Sequence, residues 1–313
     1  MSPAIPLIDL RPLAEGDAGL DRVAAEIGRA CRSIGFFALA HAPVPAGLGD
    51  AVFAAAEAFF ALPDAQKGAV SIRRSGHNRG YVGLAGEALD PGRGPDNKEA
   101  FNVGLDLAAD DPEVLAGKPF RGPNLWPDLP GFRDTLLSYY GAMLDLGLLL
   151  HRAIARDLGL EPRAFDAVFR RPLATLRLLH YPAAPEAGGR PLGAGTHTDY
   201  GNLTLLATDG VGGLEVQARD GSWRAVPPMP GTLVCNVGDC LARWTNDVYA
   251  STPHRVVSPA GRERYSVAFF LDADPDAVVS ALPGCVAAGA APLYTPVTVA
   301  EHLRSRLEST YGS

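Results

Sequence analysis

From Arg171 to about residue 275 the chain breaks into short apolar, β-branched runs: LATLRLLHYP, GTHTDYGNLTLLAT, GLEVQA, WRAVPP, TLVCNV, HRVVSP and RYSVAFFLD. Glycine and proline separate them. Strands this short cannot cover an apolar face alone, so they must pair and curl into a β-sandwich or barrel. The text before Arg171 has another period. Leu20, Val23, Ala24, Ile27 and Ala30 recur at helical spacing, predicting a helix over Leu20–Ile34 with Gly35 as its C-terminal stop. Further helices are expected at about Leu48–Ala61, from Pro63-Asp64, over Phe132–Leu158 and from Glu161-Pro162. Strands are expected at Ile5–Leu10, Phe36–Ala42 and Lys98–Gly104. The fold class is therefore mainly β with flanking helices. The expected parts are an N-terminal helix and strand part (1–120), a helical connection (121–170), a β-core (171–275) and a C-terminal segment with a helix (276–313).

The chain has 313 residues, of which 47% are hydrophobic, enough for a large core. Its formal net charge of -7 argues against a nucleic-acid groove, which needs a clustered basic face. It still permits a small anionic ligand, since one arginine can hold a carboxylate. The cysteines Cys31, Cys235, Cys240 and Cys285 form no Cys-X-X-Cys pair, which suggests reduced thiols in a cytoplasmic protein. MSPAIPLIDL has no basic leader and its apolar run is broken by Asp9, so it does not read as a signal peptide. The longest apolar stretch is interrupted by Asp145 and Arg152 and reads as a buried helix, so no membrane partner is expected. Nothing in the sequence reports an oligomeric state.

The chemistry concentrates in GTHTDYGNLTLL, read as strand. His197 and Asp199 are two residues apart, so their side chains share one strand face. A second histidine on the same wall would complete a two-His, one-carboxylate set, which suits non-haem Fe(II) and leaves coordination positions open. His254 follows Asp199 by 55 residues, room for several strands of a rolled sheet. Downstream, Arg264, Ser266, Ala268 and Phe270 alternate onto one face, where a guanidinium and a hydroxyl can jointly hold a carboxylate. Arg177, Leu179 and Tyr181 share a face of LRLLHYP. Arg177 could clamp substrate there or serve as an ion-pair partner at the rim of the core. A metal site, a carboxylate clamp and an aromatic wall would then line one cavity. His180 points the other way and reads as surface or structural, and Asp239 and Asn246 read as turn residues serving backbone geometry.

His197-X-Asp199, His254 and Arg264-X-Ser266, in that order, resemble the signature of the Fe(II)/2-oxoglutarate-dependent dioxygenases of the isopenicillin N synthase type. Tyr181-Pro182, Asn236-Val237-Gly238-Asp239, His254-Arg255-Val256, IPLIDL and GFFALAHAPVP extend the likeness over nearly the whole chain. The resemblance implies a jelly-roll, double-stranded β-helix core like that of cupins. It implies iron on His197, Asp199 and His254, and 2-oxoglutarate held through its distal carboxylate by Arg264 and Ser266, assisted by Tyr181. It also implies O2 as co-reactant, release of succinate and CO2, and oxidation, chiefly hydroxylation, of a small-molecule substrate. Leu179 departs from the polar residue often found two before the tyrosine. Substrate-side candidates are Tyr81, Phe101 and Asn102, flanking the long Gly- and Pro-rich segment from Arg73 to Lys98, together with Arg177, Tyr200 and Phe270. Two alternatives stand beside this reading: an iron oxidase that needs no 2-oxoglutarate, like isopenicillin N synthase itself, and a cupin-like binding protein. A zinc hydrolase would leave the Arg-X-Ser clamp without a task.

Overall fold

The structure, a computed structural model, describes residues 4–90, 92, 94–183, 192–258 and 261–311. Helices form where the apolar spacing follows three and four. They are α1 (Asp17–Ser33), α2 (Leu48–Phe60), α3 (Asp64–Ala69), α4 (Pro112–Leu115), α5 (Phe132–Asp157), α6 (Asp239–Trp244) and α7 (Val299–Tyr311). Strands β1 to β4 are Leu7–Asp9, Phe36–Ala40, Gly80–Val82 and Glu99–Gly104. Strands β5 to β12 are Thr175–Tyr181, Leu192–His197, Leu203–Thr208, Leu214–Gln217, Trp223–Ala225, Thr232–Val237, His254–Val257 and Arg264–Leu271.

An eight-stranded sheet runs β1-β2-β10-β7-β12-β5-β4-β3, and a four-stranded sheet runs β6-β11-β8-β9. The strands of the first 104 residues thus sit inside the large sheet, on both sides of the strands that follow Arg171. Alternation sorts β12 into two sets. Val267, Phe269 and Leu271 join the main core, which includes α1, α2 and α5. Arg264, Ser266, Ala268 and Phe270 face the space between the sheets. Helix α5 buries Leu136, Tyr139, Met143, Leu146, Leu150 and Ile154 along one stripe. A β-carbon on its Gly147 would come within 2.4 Å of Leu271 Cδ2, so glycine lets the helix lie close on the sheet. The inner faces of the two sheets meet through Phe36, Ala38, Leu214, Val216 and Val234 at one end and Leu179, Tyr181, Ala194, Val256 and Ala268 at the other.

The expected helices and strands are present, with two differences. The segment from Glu161 is a turn leading to a short 3-10 helix at Asp166–Val168 rather than an α-helix. GTHTDYGNLTLLAT is two strands: β6 ends at His197, and residues 198–202 form the bend before β7. No helix among the described residues is long and apolar enough to cross a membrane.

Candidate metal and cosubstrate site

His197 and His254 come together because β6 and β11 pair antiparallel with these two residues directly opposite. Their ring centroids lie 4.3 Å apart. Asp199 arrives differently from the strand alternation expected of it, since it lies in the bend beyond β6. That bend is gripped by the start of α6. Asp239 N–H donates to Asp199 O at 2.7 Å, Cys240 N–H to Gly201 O at 3.0 Å, and Gly238 N–H to Asn202 O at 3.0 Å. A β-carbon at Gly238 would stand 2.3 Å from Gly201 O, so the NVGD turn needs its glycine to come this near. Asp239 does more than shape the backbone, contrary to the turn reading. It accepts from Thr198 Oγ1 at 3.0 Å and Ser251 Oγ at 2.7 Å, and pairs with Arg306 at 2.6 Å.

Hydrogen bonds leave one donor atom per side chain facing a common centre. Nδ1 of His197 donates to Gly195 O at 2.7 Å and Nδ1 of His254 to Thr252 O at 3.1 Å, which turns both Nε2 atoms inward. Asp199 Oδ2 accepts from Thr204 Oγ1 at 2.6 Å and Asn236 Nδ2 at 2.7 Å. Its Oδ1 lies 3.8 Å from His197 Nε2 and 3.6 Å from His254 Nε2. Bonds of about 2.0–2.2 Å at right angles set donor atoms roughly 3 Å apart, and the three ligand atoms here lie within 4.8 Å of one another, so a small closure puts all three on one ion. The electrostatics agree with the geometry. Burial, with the neighbouring His254, pushes the His197 imidazole down to about 3. Burial alone would raise Asp199, but His254, His197 and Asn236 together hold its carboxyl well below the usual range. Burial opposes protonation of His254 too, yet Asp199 outweighs it and draws that imidazole up. The residues fit a ferrous ion.

The large sheet arranges the rest in rows. Tyr181 pairs with Arg264 and Leu179 with Ser266. Next come Asn102, Arg177, Ala268 and Leu206, then Thr175, Phe270, Thr204 and Asn236. Each two-residue step is about 6.7 Å, so the Arg264 and Phe270 rows are roughly 20 Å apart along the strand. Arg264 is 1% exposed. Its Nε donates to Gly212 O at 2.7 Å, its Nη1 to Ser266 Oγ at 3.2 Å, and it lies 4.7 Å from the Tyr181 ring centroid. Among the described residues no carboxylate pairs with it. A buried guanidinium lacking a counter-ion is costly, and the anion that fits is a ligand carboxylate reaching from the metal.

The site residues anticipated from sequence separate into two groups. His197, Asp199, His254, Tyr181, Arg264, Ser266, Arg177, Asn102, Tyr200 and Phe270 line one cavity. Tyr81 and Phe101 do not. Tyr81 turns its hydroxyl to Glu99 Oε2 at 2.5 Å. Phe101 is fully buried against Phe59 and Phe132 in the helix-side core. Both errors have one cause. On the short strands β3 and β4, Tyr81 and Phe101 are register partners on the helix side, whereas their neighbours Val82, Ala100 and Asn102 face the space between the sheets. His180 is structural and buried, not superficial, with Nδ1 2.8 Å from Glu99 Oε1. Arg177 pairs with Glu87 at 2.5 Å while lining the cavity, so it is an ion-pair partner and a wall residue at once. Sequence reasoning missed Thr204 and Asn236, which hold Asp199, and Asn78, Thr175 and Lys98 on the cavity wall. A polar residue facing inward from an apolar strand such as TLVCNV was the available signal.

The pattern of the non-haem dioxygenase N-terminal region in morphine synthesis matches residues 5–129. That of the 2OG-Fe(II) oxygenase superfamily matches residues 172–273. The chain is 38% identical over 317 aligned residues to the 2-oxoglutarate-Fe(II) type oxidoreductase hxnY of Emericella nidulans, covering 99% of this chain and 91% of that protein. It is 36% identical to homoarginine-6-hydroxylase 2-ODD-233 of Oryza sativa subsp. japonica, covering 98% of each. Its fold superposes on a full-length Neurospora crassa protein solved in complex with alpha-KG, with a TM-score of 0.87 at 33% identity, covering 97% and 96% of the two chains. The same Neurospora crassa protein in complex with alpha-KG and thymine gives 0.85 at 32% identity over 97% and 96%.

Proposed function

Because the chain belongs to the 2OG-Fe(II) oxygenase superfamily, as an Fe(II)- and 2-oxoglutarate-dependent dioxygenase of the isopenicillin N synthase-like family, we propose a role for each residue of its site. His197, Asp199 and His254 bind the iron through His197 Nε2, Asp199 Oδ1 and His254 Nε2. Arg264 and Ser266 anchor the distal carboxylate of 2-oxoglutarate, and the Tyr181 ring packs on the guanidinium. Iron and 2-oxoglutarate together supply the O2-activating chemistry, with succinate and CO2 released. Thr204 and Asn236 donate to Asp199 Oδ2 and so orient its free oxygen. The observation that carries this assignment is Arg264, a buried cation with no carboxylate partner among the described residues, on the inner face that also holds the Asp199 supports. Relatives named as 2-oxoglutarate-dependent and the Neurospora crassa protein solved with alpha-KG favour 2-oxoglutarate as the anion Arg264 takes, over an oxidase that works without it.

The substrate end lies at the Thr175 and Arg177 rows, with Asn78, Asn102, Tyr200 and Phe270 as its wall. Those groups suit a small polar molecule held by hydrogen bonds beside an aromatic face, and we assign hydroxylation as the outcome. The Neurospora crassa protein solved with thymine and the relative named as a homoarginine hydroxylase support that reading. In this scheme residues 1–120 supply much of the substrate wall. Residues 171–275 hold iron and cosubstrate, 121–170 brace them from behind, and 276–313 close the substrate end through Leu303 and Leu307. The four cysteines are free and buried, which supports a cytoplasmic setting.

The test is succinate release from anaerobically purified protein given Fe(II), 2-oxoglutarate and O2, first alone and then across a panel of small polar substrates. Slow release alone and faster release with one member of the panel are expected. Iron-loaded protein that forms no succinate under any condition would refute the assignment.

A further inference from the structure

Strand β6 is the end strand of the four-stranded sheet, and an end strand needs its outward polar groups covered. Here a side chain does this. Gly195 N–H donates to Asp96 Oδ1 at 2.9 Å. The approach is close: a β-carbon at Gly195 would stand 2.7 Å from Asp90 Cβ and 2.8 Å from Asp90 N. The carbonyl of the same glycine accepts from His197 Nδ1 at 2.7 Å. One residue therefore takes a carboxylate on its amide and orients an imidazole with its carbonyl. Glycine has no side chain to restrict its own dihedrals, so its conformation depends on what grips it.

The grip is itself held. Asp96 Oδ2 lies 2.5 Å from Lys98 Nζ and accepts from Leu89 N–H at 3.3 Å. Lys98 Nζ is 3.5 Å from Glu87 Oε2, and that oxygen accepts from Arg177 Nη2 at 2.5 Å. Glu87, Asp96 and Lys98 are all buried, at 6%, 3% and 4% exposure. An ion-pair chain in such surroundings is rigid, because breaking any link strands a charge away from water.

We propose that Asp96 is a positioning residue for His197, acting through Gly195, and that the buried chain Lys98–Glu87–Arg177 holds it in place. The inference rests on the reading of His197 as a metal ligand. One frame of four side chains then fixes the wall that carries an iron ligand and the wall that meets the substrate. A group that hydrogen-bonds a metal ligand directly, as Gly195 O does here, typically costs about 10- to 100-fold in metal affinity when altered. Asp96 stands one residue beyond it, so a loss toward or below the lower end of that range is expected.

The full chain titrated with Co(II), followed by its visible ligand-field absorption, tests this without any catalytic turnover. Asp96→Asn should weaken cobalt binding several-fold and alter the spectrum. Asp96→Glu keeps the charge that Lys98 needs but moves the carboxylate off Gly195, so it gives the same result even if the asparagine variant fails to fold. Lys98→Gln should weaken binding in the same direction. Folded Asp96 variants with the wild-type cobalt affinity and spectrum would overturn the proposal, and a wild-type response from Lys98→Gln would remove the chain from it. His197→Ala separates the two levels of inference: unchanged cobalt binding there means that the ligand assignment itself is wrong.

Discussion

Replacing Arg264 by alanine gives a sharp test of how the cavity selects its cosubstrate. In the structure this guanidinium is 1% exposed and makes hydrogen bonds only to Gly212 O and Ser266 Oγ among the described residues. Removing it deletes packing but also deletes a charge without a counter-ion, so the two effects oppose each other in the unliganded state. In the 2-oxoglutarate complex the balance is one-sided, because the distal carboxylate is then buried with no cation. Leaving one partner of such a pair unmatched costs about 3–5 kcal/mol. At about 1.4 kcal/mol per tenfold, that is a loss of roughly two to three and a half decades in affinity. Ser266→Ala removes a single hydrogen bond, worth about 0.5–1.5 kcal/mol, and should weaken binding only a few-fold to about tenfold. Anaerobic thermal melts of the Fe(II)-loaded protein read both. Ligand at about 100 times Kd stabilises the wild type by roughly 2.7 kcal/mol, and Arg264→Ala should retain about 0.4 kcal/mol of that shift or less at the same concentration. An Arg264→Ala protein that binds 2-oxoglutarate with nearly the wild-type affinity would show that the anion is held elsewhere.

Three further outcomes are expected. His254→Ala should leave folded protein that loses most of its iron on dialysis, measured by elemental analysis; full retention would break the three-ligand assignment. Phe101→Ala should cost about 3–5 kcal/mol of stability in urea melts and leave the substrate's KM nearly unchanged, because the ring lies in the helix-side core. The Glu99 carboxyl meets an opposing burial cost, but His180, Tyr81 and Lys67 outweigh it and lower it from 4.5 to about 2. A depressed carboxyl contributes stability above its unfolded value that is lost as pH falls through the folded one. Denaturation midpoints should therefore drop between pH 4.5 and about pH 2 in the wild type, and Glu99→Gln should flatten that limb. An unchanged slope in the variant would assign the acid sensitivity to other groups.

The strands after Arg171 were legible because alternation has a fixed period of two. The shared face of Arg264, Ser266, Ala268 and Phe270 follows from that period over an eight-residue strand. The same rule gave the right neighbours for the wrong reason at His197 and Asp199. The strand stops between them, and the amides at the start of α6, not the pleat, aim the carboxylate. Where strands are three to six residues long, as in β3 and β4, the sequence does not say which parity faces the cavity. In the structure Asn102 faces the cavity and Phe101 and Tyr81 do not. The partners of Asp199 were hidden for a further reason. Thr204 and Asn236 belong to β7 and β10, and only the register between those strands makes them neighbours.

The row order along the large sheet implies how such a site can change substrates while keeping its chemistry. Arg264 and Ser266 lie at one end, and Thr204 and Asn236, which hold the metal's carboxylate, lie four to six residues further along β12 in register. Those positions all come from strands of one continuous stretch of sequence, 171–275. The Thr175 and Phe270 row touches the metal supports on one side and, on the other, residues from the first 104 and the last fifteen. Asn78 and Asn102 come from the N-terminal part, and Leu303 and Leu307 from α7. Helix α7 meets the metal bend through His302 Nε2 to Tyr200 O at 3.0 Å and through Arg306 to Asp239. Loops and a terminal helix tolerate replacement better than paired inner strands. Substitutions at Asn78, Asn102 or Leu303 can therefore reshape what is bound without disturbing the Arg264 end, from which even the Asn102 row is two steps, roughly 13 Å, away along the strand. Arg177 is the exception: its tie to Glu87 and Lys98 reaches Asp96 and the edge of β6, so altering it disturbs both walls together.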